Sequence, residues 1–241
     1  MNKILVWDIP ARIFHWIFAG SIVAALAIGL LVDEDHPLFR AHMLFGIVAL
    51  FMVVIRLIMG VVGSRYSRFS SYPIRPSEVV RYMADAVTSK TKLFAGNNPG
   101  SALAALMMFA LVIALFVTGV GSGGEDVGEL HGALAWALAA VVALHIAGLA
   151  WHTIRHRENI SLAMVTGRKT GVPEDAIRSS HPLWGAVMLV FCGLWIAALF
   201  GGYNALTGAV KIPLTGATLQ LGEQESEHGE GGEGEEERDD D

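Results

Sequence analysis

The chain has 241 residues, of which 53% are hydrophobic and 17% charged, with a formal net charge of −6 and a mean hydropathy of +0.50. This mean hydropathy is too high for an ordinary soluble domain of this size, and the apolar residues are gathered in long blocks. Together the two observations exclude that class of protein. The single cysteine, Cys192, excludes an intrachain disulfide and a cysteine-ligated cluster. The sequence also lacks the patterns of a nucleophile triad, a phosphate-binding loop or a nucleic-acid-binding surface.

Five apolar blocks are long enough to cross a bilayer, which takes roughly 20 helical residues. In chain order they are 12–32, 41–62, 102–120, 130–153 and 182–205. Turn-forming or charged residues separate them. No small-residue cleavage site follows the first block, so we expect it to be retained rather than removed as a signal peptide. The predicted fold class is all-α, an integral membrane helix bundle with five spans.

The distribution of lysine and arginine predicts the orientation. The connections 63–101 and 154–181 are rich in basic residues, whereas 32–40 holds one arginine against three acids and 121–130 holds no base. The basic connections and the amino terminus are therefore expected in the cytoplasm. Five spans then place the carboxyl terminus in the periplasm, in a multi-pass protein of the bacterial inner membrane.

Four histidines lie in or beside these spans, where ionisable residues are costly and functional by default. His15 lies near the cytoplasmic start of the first span and His42 at the outer start of the second. His131 and His145 lie 14 residues apart in the fourth span, roughly 21 Å along one face. Pairing by depth joins His42 to His131 outside and His15 to His145 inside. Two such pairs in one bundle are what a transmembrane di-haem protein needs, so we predict two haem sites within the helix bundle.

His152 is an alternative to His145, because it lies two turns further along a similar stripe. It neighbours Arg155 at the cytoplasmic boundary, where a haem would be largely hydrated. His152 and His156 also have a spacing that could bind a metal, although no third ligand is evident. The sequence leaves the choice of the inner ligand open.

Three glycines are candidates for lining the haem sites. Gly29 lies 14 residues after His15, which places it at the depth of the outer pair. Gly46 and Gly148 each follow one of the predicted ligands by about one turn. Small residues let a flat macrocycle lie against a helix backbone, but they equally permit close helix packing, so both interpretations remain.

Arg56 lies inside the second span, 14 residues after His42, and so at the depth of the inner pair. There it could neutralise a haem propionate. The alternative is a side chain that extends to the cytoplasmic surface while its aliphatic part stays in the membrane.

Six segments resemble the prokaryotic cytochrome b561 family, which is grouped with the b-type cytochrome subunits of nickel–iron hydrogenases. They are "VWDIPARIFHWIF" at 6–18, "LFRAHMLFGIVAL" at 38–50, "IRLIMGVVGSRYSRF" at 55–69, "NNPGSALAALMM" at 98–108, "LHGALAWALAAVVALHIAG" at 130–148 and "HRENISLAMVTGRK" at 156–169. The resemblance covers about residues 4–170. It implies a four-helix bundle with two b haems and electron transfer between the quinone pool and a soluble or peripheral partner. The axial ligands that it implies are His15, His42, His131 and His145.

The predicted organisation has three parts. They are a di-haem cytochrome b membrane domain at 1–170, a cytoplasmic linker with the fifth span at 171–205, and a periplasmic acidic tail at 206–241 that is expected to be disordered. Residues 222–241 carry eleven acids and one arginine, a formal charge of −10. This charge favours a basic partner, such as a periplasmic c-type cytochrome. A solubilising or accidental low-complexity end is the simpler alternative.

Several functions are compatible with the sequence. The first is electron transfer between quinone and a periplasmic redox protein. Alternatives are an oxidoreductase that acts directly on a small oxidant, of the superoxide:quinone type, and a cytochrome b subunit of a hydrogenase-like complex. The acidic tail would repel superoxide, which is an anion. A haemless metal-binding or transport scaffold is a weaker alternative.

Overall fold

The computed structural model describes residues 2–88, 94–120 and 124–221. Its long helices are α1 (Ile9–Leu31), α2 (Phe39–Val62), α4 (Pro99–Val120), α5 (Gly124–His156) and α7 (Pro182–Gly201). A surface helix, α3 (Pro76–Thr88), precedes α4, and one short turn of helix, α6 (Ala163–Thr166), follows α5. All five long helices have the length and composition to cross a membrane. The predicted all-α membrane bundle is confirmed.

Local chemistry fixes where the first helix begins. The Asp8 carboxylate accepts a hydrogen bond of 2.9 Å from the Ala11 amide and so caps the helix, while Pro10 occupies its first turn. At the other end the helix stops at Leu31, before the turn that contains Asp33 and Pro37. This cap sets the register that places His15 two turns inside the span.

The bundle is built from two helix hairpins. Helix α1 packs on α2, α4 packs on α5, and α2 joins the hairpins by packing on α4. Helix α7 packs mainly on α1. The core between them holds Phe14, Met52, Val53, Phe109 and Leu199. Among the long helices of the described chain, α5 packs extensively on α4 alone. The face of α5 that points to α1 and α2 therefore has no extensive contact with them.

The amino terminus and both basic connections meet at one end of the bundle, here called the basic end. Strand β1 (Asn2–Leu5) pairs antiparallel with β2 (Arg168–Gly171). Between the connections, the Tyr66 hydroxyl donates to the Asp175 carbonyl over 2.8 Å. Neither strand is predicted from the sequence, because each is only four residues long and gains its partner from a distant part of the chain.

A partly buried cluster of charged and polar groups links segments at the basic end. Lys169 Nζ donates to the Phe94 carbonyl over 2.6 Å, and Glu158 accepts a 2.7 Å bond from the Thr170 amide. Burial lowers the pKa of Lys169, and the neighbouring Glu158 opposes that shift. Burial alone would raise the pKa of Glu158, but hydrogen bonds from Thr170 and the charges of Lys3 and Lys169 hold it below its usual value. The two opposite charges therefore stabilise each other.

A β-hairpin lies at the opposite end of the bundle, here called the hairpin end, and it shows that the predicted start of the tail was wrong. Strands β3 (Ala209–Lys211) and β4 (Thr218–Gln220) form an antiparallel hairpin. Val210 and Leu221 are buried against the bundle core, which is why this segment is ordered rather than part of the tail predicted from residue 206. The acidic stretch 222–241 lies outside the described residues.

Candidate functional site

Two pairs of histidines link α5 to the first helix hairpin. At the hairpin end, His42 on α2 faces His131 on α5, with ring centroids 6.1 Å apart and ring planes at 75°. At the basic end, His15 on α1 and His145 on α5 are close enough to interact electrostatically. The structure thus brings together the same two pairs that depth along the spans predicts.

Hydrogen bonds orient both imidazoles of the hairpin-end pair. His42 Nδ1 lies 2.8 Å from the Ala25 carbonyl oxygen, which can only accept, so Nδ1 carries the proton. His131 Nδ1 lies 2.9 Å from Thr118 Oγ1, whose own hydrogen points to the Ala114 carbonyl at 3.0 Å. The unprotonated Nε2 of each ring then keeps its lone pair. This is the tautomer in which a histidine binds a metal through Nε2.

Each ring of the hairpin-end pair also lies against a glycine of the preceding helix. A Cβ atom on Gly29 would lie 2.7 Å from two atoms of the His42 ring, closer than side chains tolerate. A Cβ atom on Gly119 would lie 3.1 Å from His131 Cε1. Sequence reasoning missed Gly119 and Thr118. The sequence did contain a signal for Gly119, because both helix hairpins place a glycine at a similar distance before a histidine. Gly119 precedes His131 by 12 residues, and Gly29 precedes His42 by 13.

The contacts of His15, at the basic end, are of a different kind. The His15 ring makes an edge contact with Trp16, with centroids 5.1 Å apart. His15 Nδ1 is buried, and no atom of the described residues forms a hydrogen bond with it. A buried polar atom without a partner is uncommon and points to a ligand or a water at the site.

Arg56 is buried near the basic end, with 5% of its surface exposed. Its guanidinium donates to the Ser67 carbonyl over 2.7 Å and to the Tyr72 hydroxyl, and it lies 5.1–5.7 Å from the ring centres of Phe14, Phe69 and Tyr72. The side chain thus extends from α2 to the connection that follows it, where Ser67 and Tyr72 cover it. Its role beside a propionate stays a prediction. Within the described chain no carboxylate lies within ion-pair distance of it.

The other two predicted glycines have different surroundings. A Cβ atom on Gly46 or Gly148 would meet no atom within 4 Å, and Gly148 is exposed. Contacts within the described chain therefore do not require glycine at either position. Their role beside a cofactor stays a prediction.

These features fit a haem better than a bare metal ion. Each site offers two imidazoles from different helices, and α5 does not pack extensively on α1 or α2 between them. At the hairpin end, glycine backbone lets both imidazoles lie close against the neighbouring helices. No cluster of three or more ligating side chains that could hold a bare ion exists among the described residues. Fold and site together define a class of protein, a membrane b-type cytochrome.

The comparisons with known proteins agree with this class. A family model described as prokaryotic cytochrome b561 matches residues 6–167, so the chain belongs to the prokaryotic cytochrome b561 family. The family implies haem b. A probable Ni/Fe-hydrogenase B-type cytochrome subunit from Bradyrhizobium diazoefficiens is 24% identical over an alignment of length 212, and this alignment covers 69% of this chain and 85% of the relative. No solved structure matches the chain. Helix α7 and the hairpin lie beyond the matched residues.

Proposed function

We propose that the chain transfers electrons across the bacterial inner membrane, between the quinone pool and a redox partner in the periplasm. The observation that carries the proposal is the position of the two histidine pairs. They lie at opposite ends of the bundle, separated along α5 by the roughly 21 Å between His131 and His145. Two redox centres at this spacing would connect the two membrane surfaces.

The residues have distinct proposed roles. His42 and His131 would hold one haem iron through Nε2, and His15 and His145 would hold the second. When bound, haem supplies one-electron oxidation and reduction. Around the first pair, the Ala25 carbonyl and Thr118 hydroxyl keep the imidazoles in the ligating tautomer.

The remaining predicted residues would shape the sites. Gly29, Gly46 and Gly148 would let the macrocycle lie against helix backbone. Arg56 would place its positive charge beside a propionate of the basic-end haem. Supporting this role, Arg56 is buried and has neutral hydrogen-bond partners rather than a carboxylate, so its charge is available to an anionic group.

The proposed orientation places the basic end in the cytoplasm and the hairpin end in the periplasm. Residues 2–12, 63–88 and 154–181 meet at the basic end and contain eleven lysines and arginines against six acids. Positively charged connections remain on the cytoplasmic side during insertion. Cysteine labelling by a membrane-impermeant maleimide, at residues placed singly in each connection of a Cys192→Ser background, tests this orientation.

Difference spectra of the purified protein test the haem content. We expect a b-type signal at two haems per chain, measured as pyridine haemochromes against protein concentration. Addition of a reduced quinone analogue should reduce both centres. A single haem per chain would contradict the assignment of one pair, and a protein without a b-type signal would contradict the proposed function as a whole.

We further propose that the partner is a basic protein, such as a periplasmic c-type cytochrome. The support is the charge of −10 on residues 222–241, which follow the hairpin end of the bundle in sequence. Such a charge attracts a basic protein, and salt screens the attraction over about 10 Å at 0.1 M. Deletion of 222–241 should slow electron transfer to a basic cytochrome c at low salt, with haem content unchanged. Equal rates and equal salt dependence would contradict the steering role.

A second candidate is the cytochrome b subunit of a hydrogenase-like complex. The observation in its favour is the relative from Bradyrhizobium diazoefficiens, whose name describes such a subunit. Copurification of the membrane-extracted protein with a nickel-containing partner would favour it. Direct reduction or oxidation of superoxide is the third alternative. The negative charge of residues 222–241 opposes it, because superoxide is an anion.

A further inference from the structure

A groove runs along the outside of the bundle, where α1, the turn of α6 and α7 meet. Its volume is about 300 Å³, and its walls include Ile13, Ile17, Met164 and Leu189. Gly185 allows α7 to approach α1 at the basic end, since a Cβ atom there would lie 2.3 Å from Ile9. One wall belongs to α7, which lies beyond the residues that the family model matches.

The mouth of the groove carries the positive charge of Arg12, which no described carboxylate neutralises. Arg12 donates from Nη1 to the Val165 carbonyl over 2.7 Å, and its Nε is buried without a hydrogen-bond partner among the described residues. None of the described carboxylates forms an ion pair with Arg12. A partly buried cation is stabilised when an anion completes its hydrogen bonds.

Along the groove, charged and apolar groups follow the same order as the headgroup and acyl chains of a phospholipid. Arg12 lies in the first turn of α1 and Ile17 more than one turn deeper, while Leu189 lies about two turns inside α7. Trp16 is 54% exposed beside Arg12 and donates its indole N–H to the Met164 carbonyl over 2.9 Å. Tryptophans in this position mark the level of the lipid headgroups. The charge therefore lies at headgroup level and the apolar walls lie below it.

We propose that this groove binds one anionic phospholipid, with its phosphate on Arg12 and an acyl chain along Ile13, Ile17 and Leu189. The occupant follows from charge complementarity, because the basic end carries eleven cations against six acids in the described connections. A bound lipid would join α7 to the bundle of the first four spans. Basic pockets between membrane helices hold anionic headgroups by the same physics.

The test compares lipid retention by native mass spectrometry. The full-length, haem-loaded protein is stripped of lipid in detergent and titrated with phosphatidylglycerol or with phosphatidylcholine of the same acyl chains. We expect one tightly retained phosphatidylglycerol. Arg12→Gln should weaken its retention roughly fivefold. Arg178→Gln, which removes an exposed charge at the same end outside the groove, should leave it unchanged.

A second pair of variants tests the apolar part without changing charge. Leu189→Trp fills the groove and should reduce the retention of both lipids, whereas Val190→Trp, at a neighbouring exposed position, should not. If Arg12→Gln fails to load haem, this pair of variants still tests whether the groove binds a lipid.

Three results would overturn the proposal. The first is equal retention of phosphatidylglycerol by the parent and both groove variants. The second is equal retention of phosphatidylcholine and phosphatidylglycerol, which would assign the groove to any neutral amphiphile, isoprenoid quinone included. The third is a changed haem midpoint potential in Arg12→Gln with unchanged lipid retention, which would assign Arg12 to the haem instead.

Discussion

At the hairpin end of the bundle, both imidazoles donate hydrogen bonds from Nδ1 and lie against glycine. At the basic end, by contrast, the His15 ring makes an edge contact with Trp16, and its Nδ1 has no partner among the described residues. The basic end has instead a buried arginine nearby, Arg56. The hairpin-end site is therefore positioned by directional bonds. At the basic end, His15 keeps a buried nitrogen without a partner among the described residues, and Arg56 supplies a buried positive charge.

This difference has a consequence for the redox potentials. A hydrogen bond from Nδ1 makes the imidazole a more basic ligand, which favours the oxidised metal. A nearby positive charge favours the reduced state. Both effects point the same way, and we expect the basic-end haem to have the higher midpoint potential of the two. Removing one contact at a time should show which effect controls which site.

The largest expected effect comes from removing a ligand. His145→Ala should lose the basic-end haem and keep the hairpin-end haem, so that the haem-to-protein ratio falls by about half. His152→Ala, two turns further along α5, should keep both. Loss of a haem in His152→Ala but not in His145→Ala would show that His152 is the ligand.

Gly29→Ala should affect the hairpin end selectively. The new Cβ atom would lie 2.7 Å from the His42 ring, and displacing that ring costs about 1–3 kcal/mol of packing strain. We expect partial loss of the hairpin-end haem, seen as a reduced and shifted spectral component. The control is Gly20→Ala in the same helix, where a Cβ atom meets nothing within 4 Å. Equal haem content in the two variants would contradict the proposed contact.

Arg56→Gln should lower the midpoint potential of the basic-end haem, on the order of tens of millivolts, because a positive charge is removed from a buried position. A potentiometric titration resolves the two haems. Arg68→Gln removes an exposed charge from the same end and should leave both potentials unchanged. If Arg56→Gln also leaves them unchanged, Arg56 serves only to hold Ser67 and Tyr72.

The smallest effect is expected for Thr118→Val, which removes the side-chain oxygen that faces His131 Nδ1. The potential of the hairpin-end haem should rise slightly, since the imidazole becomes a less basic ligand. The effect is small because a hydroxyl oxygen is a neutral acceptor, which forms a weaker hydrogen bond than a carboxylate does. Thr118→Ser should restore the original value. A shift at the basic-end haem instead would contradict the pairing of His131 with His42.

Much of the fold could be read from the sequence because each span is a continuous apolar block of helical length. The pairing of the histidines followed from the same regularity, since spans of known direction fix the depth of every residue. The hairpin β3–β4 could not be predicted in this way. Its strands are three residues long, and their order depends on burial of Val210 and Leu221 against the bundle.

The sequence by itself determined the five spans and the family, and it predicted the histidine pairs with the inner ligand left open between His145 and His152. Hydropathy and helical rise are local properties that depend on the order of residues alone. Only the tertiary structure decided that Gly119 and Thr118 contact His131, that Arg56 is buried, and that Arg12 lies at the mouth of a groove with α7. These contacts join residues of different segments. They depend on the rotation of each helix about its axis and on which helices are neighbours, which packing between helices fixes.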